Sequence, residues 1–176
     1  MIKPLRFAFA AAIAAVSLAG SAQAQTYENN GSTVEVMPAL QLKGGPKDLY
    51  FGKIVLDPYG SDATITVQPD STYTATGVLV MVRPPNAAQV LVAGAPNAQV
   101  RVTLPSGPLK LARVSGSFAS TIQELDLTDL TLIPGEVFNF DSSGSETSIF
   151  IGGKLTIPAQ SAGIYYLKIP VTFSYE

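Results

Sequence analysis

The stretch Tyr165-Tyr166-Leu167-Lys168-Ile169-Pro170-Val171-Thr172-Phe173-Ser174-Tyr175 decides how the rest of the chain is read. Every odd residue in it is apolar or aromatic, and apart from Tyr166 the even ones are Lys, Pro, Thr and Ser. Side chains of an extended strand point alternately to opposite faces, so the run predicts one long amphipathic strand with one face turned inward. Pro170 has no N–H to give a ladder, which leaves the strand open on one side at that point, or bulged. A long alternating strand with an open edge invites pairing with another chain, and that liability can serve as an assembly surface. Tyr165, Leu167, Ile169, Val171, Phe173 and Tyr175, with Gly163 just ahead of them, are therefore the candidate assembly residues.

Working back toward the N-terminus, period two recurs. Ala63, Ile65 and Val67 alternate with Thr64, Thr66 and Gln68, and Pro69-Asp70-Ser71 ends the run. Val100, Val102 and Leu104 alternate with Gln99, Arg101 and Thr103 between turn clusters. Ile149, Ile151, Leu155 and Ile157 share one phase, and Gly152-Gly153 between them marks a bulge or a close backbone approach. Leu125 and Leu127 lie in one phase but Leu130 and Leu132 in the other, so Thr128-Asp129 predicts a kink or a change of sheet. Less regular strands are expected within residues 34–42, 49–56, 77–82, 90–93 and 109–114, with Lys43-Gly44-Gly45-Pro46 and Arg83-Pro84-Pro85-Asn86 as turns. The helical rival is residues 120–130, where Ser120-x-x-Gln123 and Thr121-x-x-Glu124 both fit a capping box. Short strands at this spacing predict an all-β, immunoglobulin-like antiparallel sandwich or a barrel. An eight-stranded outer-membrane barrel is the rival architecture, but most of these runs are shorter than the roughly 9–11 residues a barrel strand needs.

The chain begins as an export leader. Lys3 and Arg6 supply the positive start, residues 7–20 are apolar or small apart from Ser17, and Ala22-Gln23-Ala24 gives a small-x-small cleavage site before Gln25. The organisation predicted is a cleaved signal peptide over residues 1–24, a polar, flexible lead over 25–33, and a single sandwich domain over 34–176. Removing 24 of the 176 residues leaves 152, and removing Lys3 and Arg6 from the 11 basic side chains leaves 9 against 13 acidic ones. The remaining cations are scattered singly, a pattern that disfavours nucleic acid. No second apolar run reaches membrane-spanning length. The absence of Cys and His excludes thiolate and imidazole catalysis, disulfides, zinc fingers and haem ligation by histidine. No cofactor or metal site and no enzyme activity are expected.

Two resemblances follow from these residues. Gly163 stands fourteenth from the end and Tyr175 is penultimate, with apolar residues alternating between them. This resembles the C-terminal signature of chaperone–usher pilus subunits. The likeness implies an immunoglobulin-like sandwich short of one strand, a periplasmic chaperone that holds the terminal strand, an outer-membrane usher, and a groove filled by the N-terminal extension of the next subunit. Ile169, Val171, Phe173 and Tyr175 would be the chaperone-facing knobs. A wider resemblance, to the bacterial domain-of-unknown-function 4402 family of secreted β-rich proteins, rests on several stretches. They are Leu49-Tyr50-Phe51-Gly52-Lys53-Ile54, Val92-Ala93-Gly94-Ala95-Pro96-Asn97-Ala98, Val102-Thr103-Leu104-Pro105, Gly152-Gly153-Lys154-Leu155-Thr156-Ile157, Ala162-Gly163-Ile164-Tyr165 and Val171-Thr172-Phe173-Ser174-Tyr175. Where that family usually has a second glycine shortly after the Gly-x-Tyr, this chain has Leu167. The family resembles surface and fimbrial proteins and implies no catalytic residues.

A donor strand needs alternate apolar residues in a lead segment. Val34, Val36, Leu40 and Leu42 share one phase and are the candidate donor residues, although the first strand of the chain's own sandwich would look the same. Glu124, Asp126 and Asp129 lie close together, but alternation puts the first two on the polar side of a strand. Asp141-Ser142-Ser143-Gly144-Ser145-Glu146 lacks the alternating ligands of a calcium loop and reads as a polar hairpin turn. Asn30-Gly31-Ser32 fits a glycosylation sequon. Tyr27, Tyr50, Tyr59 and Tyr73 could stack on sugars, yet isolated packing positions explain them as well. The expected role is an exported, non-catalytic structural or adhesive subunit of a surface fibre, joined by strand addition to copies of itself or sibling subunits. It would pass through the periplasm to the cell surface or beyond. The alternative is a self-contained secreted module that binds carbohydrate or a host protein.

Overall fold

Most runs of alternating apolar residues become strands, and each strand pair is antiparallel. The computed structural model describes residues 36–115, 121–144 and 146–176. The expected signal peptide and lead segment, over residues 1–33, and the donor candidate Val34 lie outside them. The described residues hold no helix, and their thirteen strands build the expected all-β antiparallel sandwich. In chain order they are β1 (Gln41–Lys47), β2 (Lys53–Leu56), β3 (Ala63–Val67), β4 (Tyr73–Thr76), β5 (Val78–Arg83), β6 (Ala88–Ala93) and β7 (Gln99–Thr103). They continue as β8 (Leu109–Ser115), β9 (Glu124–Ile133), β10 (Val137–Asn139), β11 (Thr147–Ile157), β12 (Ile164–Tyr166) and β13 (Thr172–Tyr175).

One layer is an eight-stranded sheet ordered β1-β6-β11-β9-β8-β12, with β3 and β4 branching from β11. The branch follows from the length of β11. Thr147 to Ile151 pair with β6, and Gly153 to Ile157 pair with β3. The sheet is open, with β1 and β12 at its two ends, so it does not close into a barrel. The covering layer is in two pieces, a three-stranded sheet β10-β7-β13 and a two-stranded ribbon β2-β5.

Two clusters of buried side chains lie between the layers. Ile65, Val67, Leu125, Leu127 and Leu155 centre the first, against which Ile54, Leu56 and Met81 of the ribbon pack. Val92, Val100, Val102, Ile149 and Ile151 centre the second, with an edge-to-face pair between Phe138 and Phe140 at 5.3 Å. Removing a Val, Leu or Ile side chain of this kind from water is worth about 1.5–3 kcal/mol each.

The phase change in β9 has a local cause. Asp129 takes φ 50°, and Asp129 and Leu130 together oppose the single residue Gly153 in the β9–β11 ladder. The extra residue is a β-bulge. It turns Leu125 and Leu127 toward the first cluster and Leu132 toward the second, with Leu130 touching both. Aspartate is one of the few side chains that accepts this left-handed conformation. The facing Gly152 is required by packing, because a Cβ there would lie 2.2 Å from the Val67 carbonyl oxygen.

The helical rival is set aside, since residues 121–130 hold no helix: β9 begins at Glu124 and buries Leu125 and Leu127. Three expectations are corrected. Lys43-Gly44-Gly45-Pro46 is not a turn but lies within β1, where the register with β6 slips between Lys43 and Lys47. A proline is tolerated there because β1 is an edge strand and is bulged. The polar stretch from Asp141 does not close a hairpin, since β10 pairs with β7 and β11 with strands of the other layer. It is a crossing between layers that opens with Gly144 N–H donating to Asp141 O at 3.1 Å. The terminal run is not one strand, because Leu167 to Val171 belong to no ladder.

Candidate assembly edge

The terminal run crosses from one layer to the other. Gly163 starts it at φ 141°, and a Cβ at that position would lie 2.8 Å from Ser115 O, so only glycine lets the chain close onto β8. Tyr165 pairs with Arg113 and donates its hydroxyl hydrogen to Ile122 O at 3.0 Å. Leu167 and Ile169 then pack on the first cluster with no ladder to hold them. Pro170 falls in this gap, where its missing N–H costs nothing. Val171, Phe173 and Tyr175 pack on the second cluster, and Phe173 and Tyr175 pair with Val102 and Val100 of β7. The alternation read from the sequence survives the crossing. Odd residues from Tyr165 to Tyr175 are half-buried and even ones exposed.

Both pieces of this run are sheet margins. β12 ends the large sheet and β13 ends the small one, so among the described residues each pairs on one side alone. None of the six odd residues reaches the full burial of Val100 or Val102 one strand further in. The facing layer thins at the same rim. Leu42 pairs directly with fully buried Val92 and so shares its inward face, yet it stays 68% exposed. The two thin margins are tied together by Tyr175. Its hydroxyl accepts from Ala95 N–H at 2.8 Å and donates to Pro38 O at 2.8 Å, and Leu40 packs on the same cluster. At the last residue Glu176 N–H donates to Gln99 O, and the Glu176 carboxylate accepts from Arg101 Nε.

The donor candidates are thus placed differently from one another. Leu40 lies in the second cluster, Leu42 is laddered at the edge of the large sheet, Val36 is 84% exposed, and Val34 lies outside the described residues. Sequence reading missed Pro38 and Ala95 as partners of the terminal tyrosine, and no side-chain pattern could have shown them because both contribute backbone atoms.

The acidic residues do not form a constellation. Asp126 pairs with Lys110 across β8 and β9, Asp129 lies 3.8 Å from Lys154, and Glu124 is exposed. The hydrogen bond to Asp126 raises the Lys110 ammonium above its ordinary value. Among the tyrosines, Tyr59 is exposed in the turn after β2, Tyr73 is on β4, Tyr27 is outside the described residues, and Tyr50 lines a cleft.

Residues 40–175 match the family described as domain of unknown function DUF4402. The chain belongs to that family. The match opens at Leu40 and closes at Tyr175, so it takes in both thin margins and the run that crosses between the layers. No curated protein and no solved structure matches this DUF4402 chain.

Proposed function

We propose that this DUF4402 chain is an exported, non-catalytic structural or adhesive subunit of a bacterial surface fibre, assembled by adding a strand of a neighbouring molecule beside the terminal run. The observation that carries this reading is that β13 is paired on one side while its inward side chains, and Leu42 opposite, remain partly uncovered. One further strand beside β13 would cover all of them and satisfy the free backbone groups of that edge. The donor is the lead of a second copy or a sibling subunit, which presents Val34 and Val36 while Leu40 and Leu42 stay in their own sandwich. In transit through the periplasm a chaperone would shield Tyr165, Leu167, Ile169, Val171, Phe173 and Tyr175, and an outer-membrane usher would exchange it for the donor at the cell surface.

The test compares the chain beginning at Gln25 with one beginning at Met37, by light scattering after size exclusion and by electron microscopy. Polymers are expected from the longer chain and monomers from the shorter. A peptide of residues 25–40 added in excess should cap the longer chain. Equal polymerisation of the two, or a monomer in both, overturns the reading, and the second result leaves a self-contained binding module.

A further inference from the structure

Lys47, at the edge of the large sheet, and Arg83, on the β2–β5 ribbon, line one cleft. Lys47 pairs with Gln89 in the β1–β6 ladder and Gln89 with Phe150 in the β6–β11 ladder, so the three share one row. Ala88, next to Gln89, is in the core, so the row faces away from it. This row bounds a cleft of about 510 Å³, and the far wall is built from Tyr50, Arg83 and Asn86. That is within the span of small-ligand sites, roughly 300–1,000 Å³.

The wall is braced before any ligand arrives. Tyr50 and Asn86 exchange both backbone hydrogen bonds, at 3.0 and 2.8 Å. The Asn86 side-chain amide donates to Asp48 O and Ala87 O, each at 3.0 Å. The Arg83 guanidinium carbon sits 4.9 Å from the centre of the Tyr50 ring, which orients the cation without discharging it.

Charge supplies an independent pointer. Among the described residues neither Lys47 nor Arg83 has an ion-pair partner. Arg83 is moreover the ladder partner of Lys53, and like charges directly opposite each other are destabilising. An acidic protein that gathers two cations against one acidic residue beside aromatic rings has a place for an anion. The anion is not a bare, multiply charged one, because Asp48 is among the residues lining the same cleft and its charge would repel it. Two rings, the carboxylate acceptor and the Gln89 amide suit a hydroxylated ring with an apolar face and a single negative group.

We propose that this cleft binds saccharides bearing a carboxylate. Arg83 and Lys47 take the carboxylate, Tyr50 and Phe150 meet the ring face, and Asp48 and Gln89 accept or donate to the hydroxyls. The site is separate from β13, so the proposal goes beyond strand addition and stands without it.

The test is titration calorimetry of the full exported chain with trigalacturonate, its methyl ester and glutarate. Saturable binding of trigalacturonate is expected, weaker with rising salt and at least about tenfold weaker for the ester, since hydrogen bonds to charged groups are worth about 1.5–3 kcal/mol. Arg83→Gln should lose about tenfold in affinity with its circular dichroism spectrum and any polymerisation unchanged. Lys47→Gln, on an edge strand, is the second variant and should weaken binding less. The proposal is overturned by absence of saturable binding, by equal binding of the ester, by glutarate binding as tightly as the trimer, or by both variants binding like the parent.

Discussion

β7 and β13 are neighbours in one small sheet, carry the same alternation, and pack on the same cluster, yet they are buried very differently. Val100 and Val102 of β7 are 0% and 1% exposed, while Phe173 and Tyr175 of β13 stay half-buried. The difference is one of neighbours. Among the described residues β7 has a strand on each side, and β13 has β7 alone. The facing layer repeats the contrast, with Val92 of β6 fully buried and its ladder partner Leu42 of β1 mostly exposed. Inside a sandwich a side chain is covered by the opposite layer and also by strands flanking its own. Alternation therefore tells which way a residue faces but not how completely it is covered.

The contrast can be broken by truncation on either side of it. Ile149→Ala, in the middle of the second cluster, should cost about 2–5 kcal/mol in urea unfolding, through lost transfer energy and a cavity. Phe173→Ala removes a larger side chain but should cost less, about 1 kcal/mol, because roughly half of the transfer energy of a buried aromatic is in play at the rim. Equal losses would show that β13 is covered as well as the middle of β11. Tyr175→Phe should cost about 1–3 kcal/mol, since it strands the Ala95 N–H, whose residue is buried, and releases Pro38 O. Hydrogen exchange at the Ala95 amide is the discriminating readout. If it stays as slow as in the parent, the tyrosine does not hold the rim.

What was legible in the sequence follows the same division. Residues 63–67, 99–103 and 149–157 were readable because each is flanked by strands or closed over by the opposite layer, which forces apolar residues into every second position. The bulge at Asp129 was readable too, because a slipped register swaps faces and leaves its mark as a phase change. β4 was not readable, since Tyr73 to Thr76 are all exposed and nothing selects their pattern. β10 is three residues long and carries one buried side chain, Phe138. The candidate edge was half legible. The six residues and their facing could be read, but not the break at Leu167 to Val171, because odd residues point to the core in both layers and leave no phase change where the chain crosses. The Lys47–Arg83 cleft had no signature, as its members come from four separate strands and loops.

The smallest effect expected lies at the outermost margin, the turn that hangs β4 on β3. Gln68 accepts from Ser71 N–H at 2.9 Å, and the Asp70 carboxylate accepts from the Thr72 hydroxyl at 2.6 Å and from its N–H at 2.8 Å. These bonds, the hydroxyl one foremost, favour the charged form and hold the Asp70 carboxyl below its ordinary 3.8. A carboxyl whose value is lowered by folding stabilises the fold above the unfolded value, and that contribution fades as pH falls through the lowered one. Asp70→Asn keeps an acceptor but loses the charge, so its unfolding midpoint in urea should lie slightly below that of the parent at neutral pH. The two midpoints should converge as the medium is taken well below 3.8. A gap that persists unchanged into acid would mean that the turn is held by shape and not by the ionised carboxylate. The margins would then owe their order to the hairpin backbone alone, as β4 already does for its side chains.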